Sequence, residues 1–133
     1  KVLYIKITPK KKFVIVDAGM NDLIRPSLYD AYHQILPLNK DRQVKERVDI
    51  VGPICESGDF FAKDRALPKL KEGSLLAIMG SGAYGFSMSS NYNSRLRPAE
   101  VMVKGKKVSI IRRREGFQDL IRNEVVPSFL LKR

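Results

Sequence analysis

No apolar run in this 133-residue chain extends beyond about five residues before glycine, proline or a charged cluster interrupts it. A bilayer-spanning helix needs roughly 18 to 20 such residues in a row, so no membrane span is expected. Runs of this length, punctuated by turn-forming residues, are what short strands require.

The pattern sorts into elements. Val2 to Ile7 and Phe13 to Val16, parted by Thr8-Pro9-Lys10-Lys11-Lys12, read as a hairpin. Val44 to Val51 alternates apolar and polar side chains and stops at Gly52-Pro53, which is a strand signature. Leu75 to Met79 reads as a strand buried on both faces, followed by a loop rich in glycine, serine and asparagine from Gly80 to Ser94. Glu100 to Val103 and Val108 to Ile111 flank Lys104-Gly105-Lys106-Lys107 as a second hairpin. Leu28, Ala31, Tyr32 and Ile35 recur at helical spacing behind Pro26, with Arg25, Tyr29 and His33 on the opposite face. A terminal helix through Phe117, Leu120, Ile121 and Val125 stops before Pro127. Five or six short strands and two short helices imply a mainly β fold, a barrel or sandwich with helical additions. At 15.1 kDa, with 44% hydrophobic residues, a single domain over the whole chain is expected.

The net charge of +11 raises nucleic acid as a partner. Its lysines and arginines, however, cluster beside strands or in turns, at Lys10 to Lys12, Lys104 to Lys107 and Arg112 to Arg114, where solvated strand ends explain them. A single-strand binder also needs aromatics interleaved with basic residues on one sheet face. The eleven Phe and Tyr residues are scattered, so a stand-alone basic β-barrel binding nucleic acid is the lesser alternative.

One cysteine, Cys55, excludes an internal disulfide, and with one histidine, His33, it is too little for a Cys/His zinc cage. A cytoplasmic setting is expected, with no metal. The absence of an initiating Met, ahead of a strand that starts at once, and of a basic-then-apolar leader gives the expectation of a chain that begins in mid-protein and is not addressed for export. His33 reads as a helix-surface or core-satisfied residue without chemistry.

Three segments can carry chemistry. Gly52-Pro53-Ile54-Cys55-Glu56-Ser57-Gly58-Asp59 gathers a thiol, two carboxylates and a hydroxyl in a loop; the plainer reading of Cys55 is a small buried residue beside a polar turn. Gly80-Ser81-Gly82-Ala83-Tyr84-Gly85 can bring backbone amides and the Tyr84 hydroxyl up to a phosphate, or be only a flexible turn. Arg25 and Tyr29, one helical turn apart, can converge on a carboxylate, or merely face solvent.

The order of these segments carries a resemblance. Asp17-Ala18-Gly19-Met20-Asn21-Asp22-Leu23-Ile24-Arg25-Pro26-Ser27-Leu28-Tyr29, then Cys55-Glu56-Ser57-Gly58-Asp59, then Gly82-Ala83-Tyr84-Gly85 with Asn91-Tyr92-Asn93 and Arg97-Pro98-Ala99-Glu100, resembles the diaminopimelate decarboxylases. These pyridoxal 5'-phosphate (PLP) enzymes share the alanine racemase and ornithine decarboxylase-like fold. The resemblance runs from the first hairpin to Val103 and implies a Greek-key-like C-terminal β-domain. The α/β barrel that supplies the cofactor lysine in that family has no counterpart in this chain.

The resemblance further implies that PLP-dependent decarboxylation of meso-2,6-diaminopimelate to L-lysine and carbon dioxide, the last step of lysine biosynthesis, needs this chain together with its barrel portion. Alone it is expected to be inactive. Cys55 would reach across a homodimer interface to the carbon that is reprotonated. Glu56, with Ser57 assisting, would accept the distal ammonium; Arg25 and Tyr29 would hold the distal carboxylate; Tyr84 would donate to the cofactor phosphate beside the substrate. A related PLP decarboxylase acting on another basic amino acid is the nearer alternative.

Overall fold

The first hairpin forms where its residues imply. In the computed structural model, which describes residues 1–39 and 44–131, β1 (Val2–Ile7) pairs antiparallel with β2 (Lys12–Val16). Thr8 closes the turn: its backbone N–H donates to the Lys11 carbonyl at 2.8 Å, and its hydroxyl oxygen accepts the Lys11 N–H at 3.0 Å. β2 then lies parallel to β4 (Lys45–Val51), and β4 pairs antiparallel with β5 (Phe60–Pro68), giving a four-stranded sheet in the order β1-β2-β4-β5. A separate two-stranded sheet joins β3 (Ile35–Pro37) to β6 (Leu76–Ile78).

Inward-facing side chains of the large sheet make the core: Val2, Val14, Val16, Val48, Ile50, Phe61, Ala62 and Leu67, joined by Leu23, Ile35 and Leu70. Leu76 and Ile78 pack against this cluster from β6. The mainly β expectation holds, but the barrel form of it does not: among the described residues the largest sheet is open, with β1 and β5 at its edges.

The helix expected from Pro26 to Ile35 is cut to α1 (Arg25–Tyr29), because Asp30 adopts a left-handed conformation (φ 53°) and turns the chain. Ile35 is buried as part of β3 instead, while Leu28 and Tyr32, expected on an apolar face, are exposed. Leu76 to Ile78 is half-buried, not buried on both faces. β5, the longest strand, was not expected at all; Lys63-Asp64-Arg65 interrupts its apolar pattern, and Asp64 takes a positive φ of 50° where the β4–β5 register shifts. The displaced Asp64 N–H is satisfied by the buried Asp49 carboxylate at 2.7 Å, whose other oxygen receives Lys11 Nζ at 2.6 Å. Lys12 pairs with Glu46 at 2.7 Å, so two members of the first lysine cluster are committed to acids of β4.

By contact density the chain forms two units, Lys1–Ser90 and Asn91–Arg133. In the second, β7 (Glu100–Lys104) and β8 (Lys107–Arg112) make the expected hairpin, with Glu100 opposite and bonded to Arg112. The last helix is α2 (Phe117–Ile121), and Val125 falls outside it. The Asp119 carboxylate caps its start by accepting the Gly116 N–H at 2.8 Å. Glu115 buckles this unit. One of its oxygens accepts the Arg97 N–H at 2.8 Å and the Asn91 amide at 2.7 Å, and the other meets the Arg97 guanidinium at 3.1 Å. Asn91 and Arg97, both in family-like motifs, thus both hold the Glu115 carboxylate.

Truncating the central core residue tests the packing. Phe61→Ala is expected to lower the free energy of unfolding by about 3 to 5 kcal/mol in urea titration; a loss below about 1 kcal/mol would mean that Phe61 is not central. The Arg97 N–H, above all, holds the Glu115 carboxyl below the usual glutamate range, against the opposing effect of burial, and Asn91 and the Arg97 side chain add to the lowering. A carboxyl that is more acidic in the folded state stabilises above its unfolded pKa of about 4.3, and that contribution is lost as pH falls through the folded value. A carboxyl-carbon NMR titration of Glu115 should thus show a midpoint under about 4.3, and Glu115→Gln should flatten the acid dependence of stability; a midpoint at or above that value would contradict the buckle.

Candidate functional site

All the side chains singled out for chemistry lie in the first unit, on α1 and on two loops leaving the sheets. α1 opens with Pro26 in its first turn, where a missing N–H costs nothing. Its five residues are enough to place Arg25 and Tyr29 as neighbours on the helix surface. Arg25 is half-buried and Tyr29 is 62% exposed, so the helix presents one anchored cation and one accessible phenol.

The glycine loop after β6 presents Tyr84. Gly85 is obligatory there, since a Cβ would lie 2.0 Å from the Ser81 carbonyl oxygen. Ser81 is itself tied back by its hydroxyl, which donates to the Ile78 carbonyl at 3.0 Å. Inside this closed turn Tyr84 takes a left-handed φ of 60°, a conformation that costs a bulky residue about 1 to 2 kcal/mol. Its ring lies under the Arg25 guanidinium, 5.7 Å from the centroid, within cation–π range. Two positions 59 residues apart in sequence are thus brought together.

The loop between β4 and β5 carries Cys55, Glu56 and Ser57, all exposed. The plainer reading of Cys55 as a small buried residue is therefore wrong: the buried neighbour is Ile54, and the thiol faces outward. The loop is closed at its base, where the Gly52 N–H donates to the Asp59 carbonyl at 3.0 Å. Internal bonds run from the Glu56 N–H to the Ile54 carbonyl at 2.8 Å and from the Asp59 N–H to the Glu56 carbonyl at 3.0 Å. Gly58 lies against Met20 and Ser27, where a Cβ would stand 3.3 Å from the Met20 methyl, which puts the loop beside α1.

Two residues to which the sequence reading assigned no role organise these parts. Asp59 is only 4% exposed; one carboxylate oxygen accepts the Met20 N–H at 2.6 Å and the other the Ile54 N–H at 2.7 Å. Asn21, also buried, donates its side-chain amide to Asp22 at 3.0 Å, and its backbone carbonyl accepts the Ser90 N–H at 2.9 Å. The available signal was their presence within the motifs, beside glycines that admit close backbone approach. His33 is buried rather than on a helix surface, and only half of its ring is satisfied: Nδ1 lies 2.9 Å from the Met79 carbonyl, Nε2 has no hydrogen-bond partner among the described residues, and the residue lies off the helix that Arg25 and Tyr29 share.

Chemically, the arrangement offers a cation and two phenols for anionic groups on one side. On the other it offers a carboxylate and an accessible thiol on a braced loop. Residues 1–82 match the family described as pyridoxal-dependent decarboxylase, C-terminal sheet domain. Over 124 residues the chain is 55% identical to the diaminopimelate decarboxylase of Methanothermobacter thermautotrophicus, which covers 92% of this chain and 29% of that protein. It is similar in structure to the diaminopimelate decarboxylase of Methanocaldococcus jannaschii in complex with L-lysine, with a TM-score of 0.93, 50% identity and coverage of 98% of this chain and 30% of that one. The corresponding Helicobacter pylori enzyme, also complexed with L-lysine, gives a TM-score of 0.83 at 50% identity, over 91% of this chain and 29% of that one. The chain thus spans about 30% of the length of the relatives it matches. By this match and the mainly β architecture, the chain belongs to the pyridoxal-dependent decarboxylases, as their C-terminal sheet domain.

Proposed function

We propose that this domain serves the decarboxylation of meso-2,6-diaminopimelate to L-lysine and carbon dioxide, within an enzyme whose remaining portion carries the cofactor lysine. The observation that carries the reading is the convergence of Arg25 on Tyr84 beside the Cys55 loop, in a chain 55% identical to a diaminopimelate decarboxylase. Relatives solved with L-lysine support the identity of the product.

PLP fits the groups present. Tyr84 offers an exposed hydroxyl on a turn that no side chain at Gly85 would allow, which suits a donor to the cofactor phosphate. When bound, the cofactor supplies the electron sink for carbon–carbon cleavage. This chain's residues do the rest of the recognition and one proton transfer. Arg25 and Tyr29 hold the carboxylate that is not lost, the arginine through two parallel bonds. Glu56 accepts the distal ammonium, with Ser57 beside it, and a substrate lacking the second carboxylate leaves Arg25 unused. Cys55 Sγ delivers the proton that replaces carbon dioxide. The exposure of Cys55, Glu56 and Tyr29 supports a site completed by other surfaces, a barrel portion and a second subunit of a homodimer.

Arg25→Ala in the complete enzyme should raise KM for diaminopimelate about 10- to 100-fold, the value of about one charge-assisted bond. An unchanged KM would point to a PLP decarboxylase for another basic amino acid. The shared site has its own test. Chains carrying Cys55→Ala, mixed with chains lacking the cofactor lysine, should regain part of the wild-type activity, and demonstrated hybrid dimers without any recovery would place Cys55 in its own subunit's site.

A further inference from the structure

We infer that Asp59 is a positioning residue for the reaction: its carboxylate sets the stance of the Cys55-Glu56 loop relative to α1. The inference deepens the decarboxylase reading and rests on it.

The geometry leaves the carboxylate little freedom. Both oxygens are engaged by backbone N–H groups on different segments, Met20 at 2.6 Å and Ile54 at 2.7 Å. Ile54 immediately precedes Cys55, and Met20 lies five residues ahead of Arg25 on the stretch that leads into α1. One side chain therefore clamps the root of the thiol-bearing loop to the root of the helix that bears Arg25 and Tyr29. The clamp is completed by Gly52, where a Cβ would stand 2.2 Å and 2.3 Å from the two carboxylate oxygens. Any side chain at position 52 would displace the carboxylate. Burial makes the clamp costly to open, because a polar group withdrawn from water is stable only while partners replace its hydration.

An aspartate is required for its symmetry as well as its size. Asparagine has nearly the same shape but one acceptor oxygen; its NH2 must face the other backbone N–H, donor against donor. Asp59→Asn therefore unlatches one of the two segments while keeping the volume of the buried side chain. Loss of placement of about 1 Å at a reacting group costs on the order of 100-fold in rate. A residue acting only on global stability would not change kcat of the folded enzyme.

The experiment is Asp59→Asn in the complete PLP-loaded enzyme, with steady-state kinetics on diaminopimelate and hydrogen exchange resolved at the Met20 and Ile54 amides. The expected result is a fall in kcat of about 10- to 100-fold, a KM changed less than kcat, and faster exchange at one or both amides. A kcat within about two-fold of wild type, with exchange at either amide accelerated, would overturn the positioning role. So would unchanged exchange at both. If the variant does not fold, the wild-type enzyme decides: matched slow exchange at Met20 and Ile54 supports the clamp, and rapid exchange at either refutes it. Failure of the wild-type enzyme to release carbon dioxide from diaminopimelate would refute the decarboxylase reading instead, and the exchange data would still report on the clamp.

Discussion

A buried carboxylate has to be solvated by the protein itself, and the first unit is arranged around that requirement at Asp59. Its two oxygens replace water with the N–H groups of Met20 and Ile54, and the space it needs exists because residue 52 is glycine. The loop carrying Cys55 is consequently not a free excursion between β4 and β5. It is latched to the turn that precedes α1, and that turn is itself bound to Asp22 through the Gly19 N–H at 2.9 Å and to Ser90 through the Asn21 carbonyl. Loops that carry reactive groups gain precision when such contacts brace them.

The same device recurs. Asp49 accepts the N–H freed where the β4–β5 register shifts, and Glu115 accepts the Arg97 N–H that leads into β7. Each of these carboxylates also meets a cation, Lys11 or Arg97. In a chain with 14 acids against 25 bases, these acids spend their charge on backbone geometry at bulges and loop roots. The basic excess falls largely at strand ends and turns, where exposed side chains of either sign cost little.

Strands marked by alternation, or by a turn between two apolar runs, were legible: β1, β2, β4, β7 and β8 lie where their residues imply. β5 was not, because a bulge at Asp64 lets charged residues interrupt an otherwise inward-facing set, and period-two reading has no term for a bulge. β3 was hidden for a different reason. Leu28, Ala31, Tyr32 and Ile35 fit a helical stripe by spacing alone, yet Asp30 turns left-handed and Ile35 is drawn into the core as a strand residue. Arg25 and Tyr29 kept their relation only because both fall within the single turn and a half that survives.

By itself the sequence determined the class of fold and the family, since alternation, turn residues and motif order are local properties written along the chain. Tertiary structure alone decided that Arg25 lies over Tyr84, that Cys55 faces outward, and that Asp59 latches the Cys55 loop to the turn before α1. Those relations depend on which distant backbone groups meet once the sheet has formed, and no spacing in one dimension specifies which N–H a buried carboxylate will find.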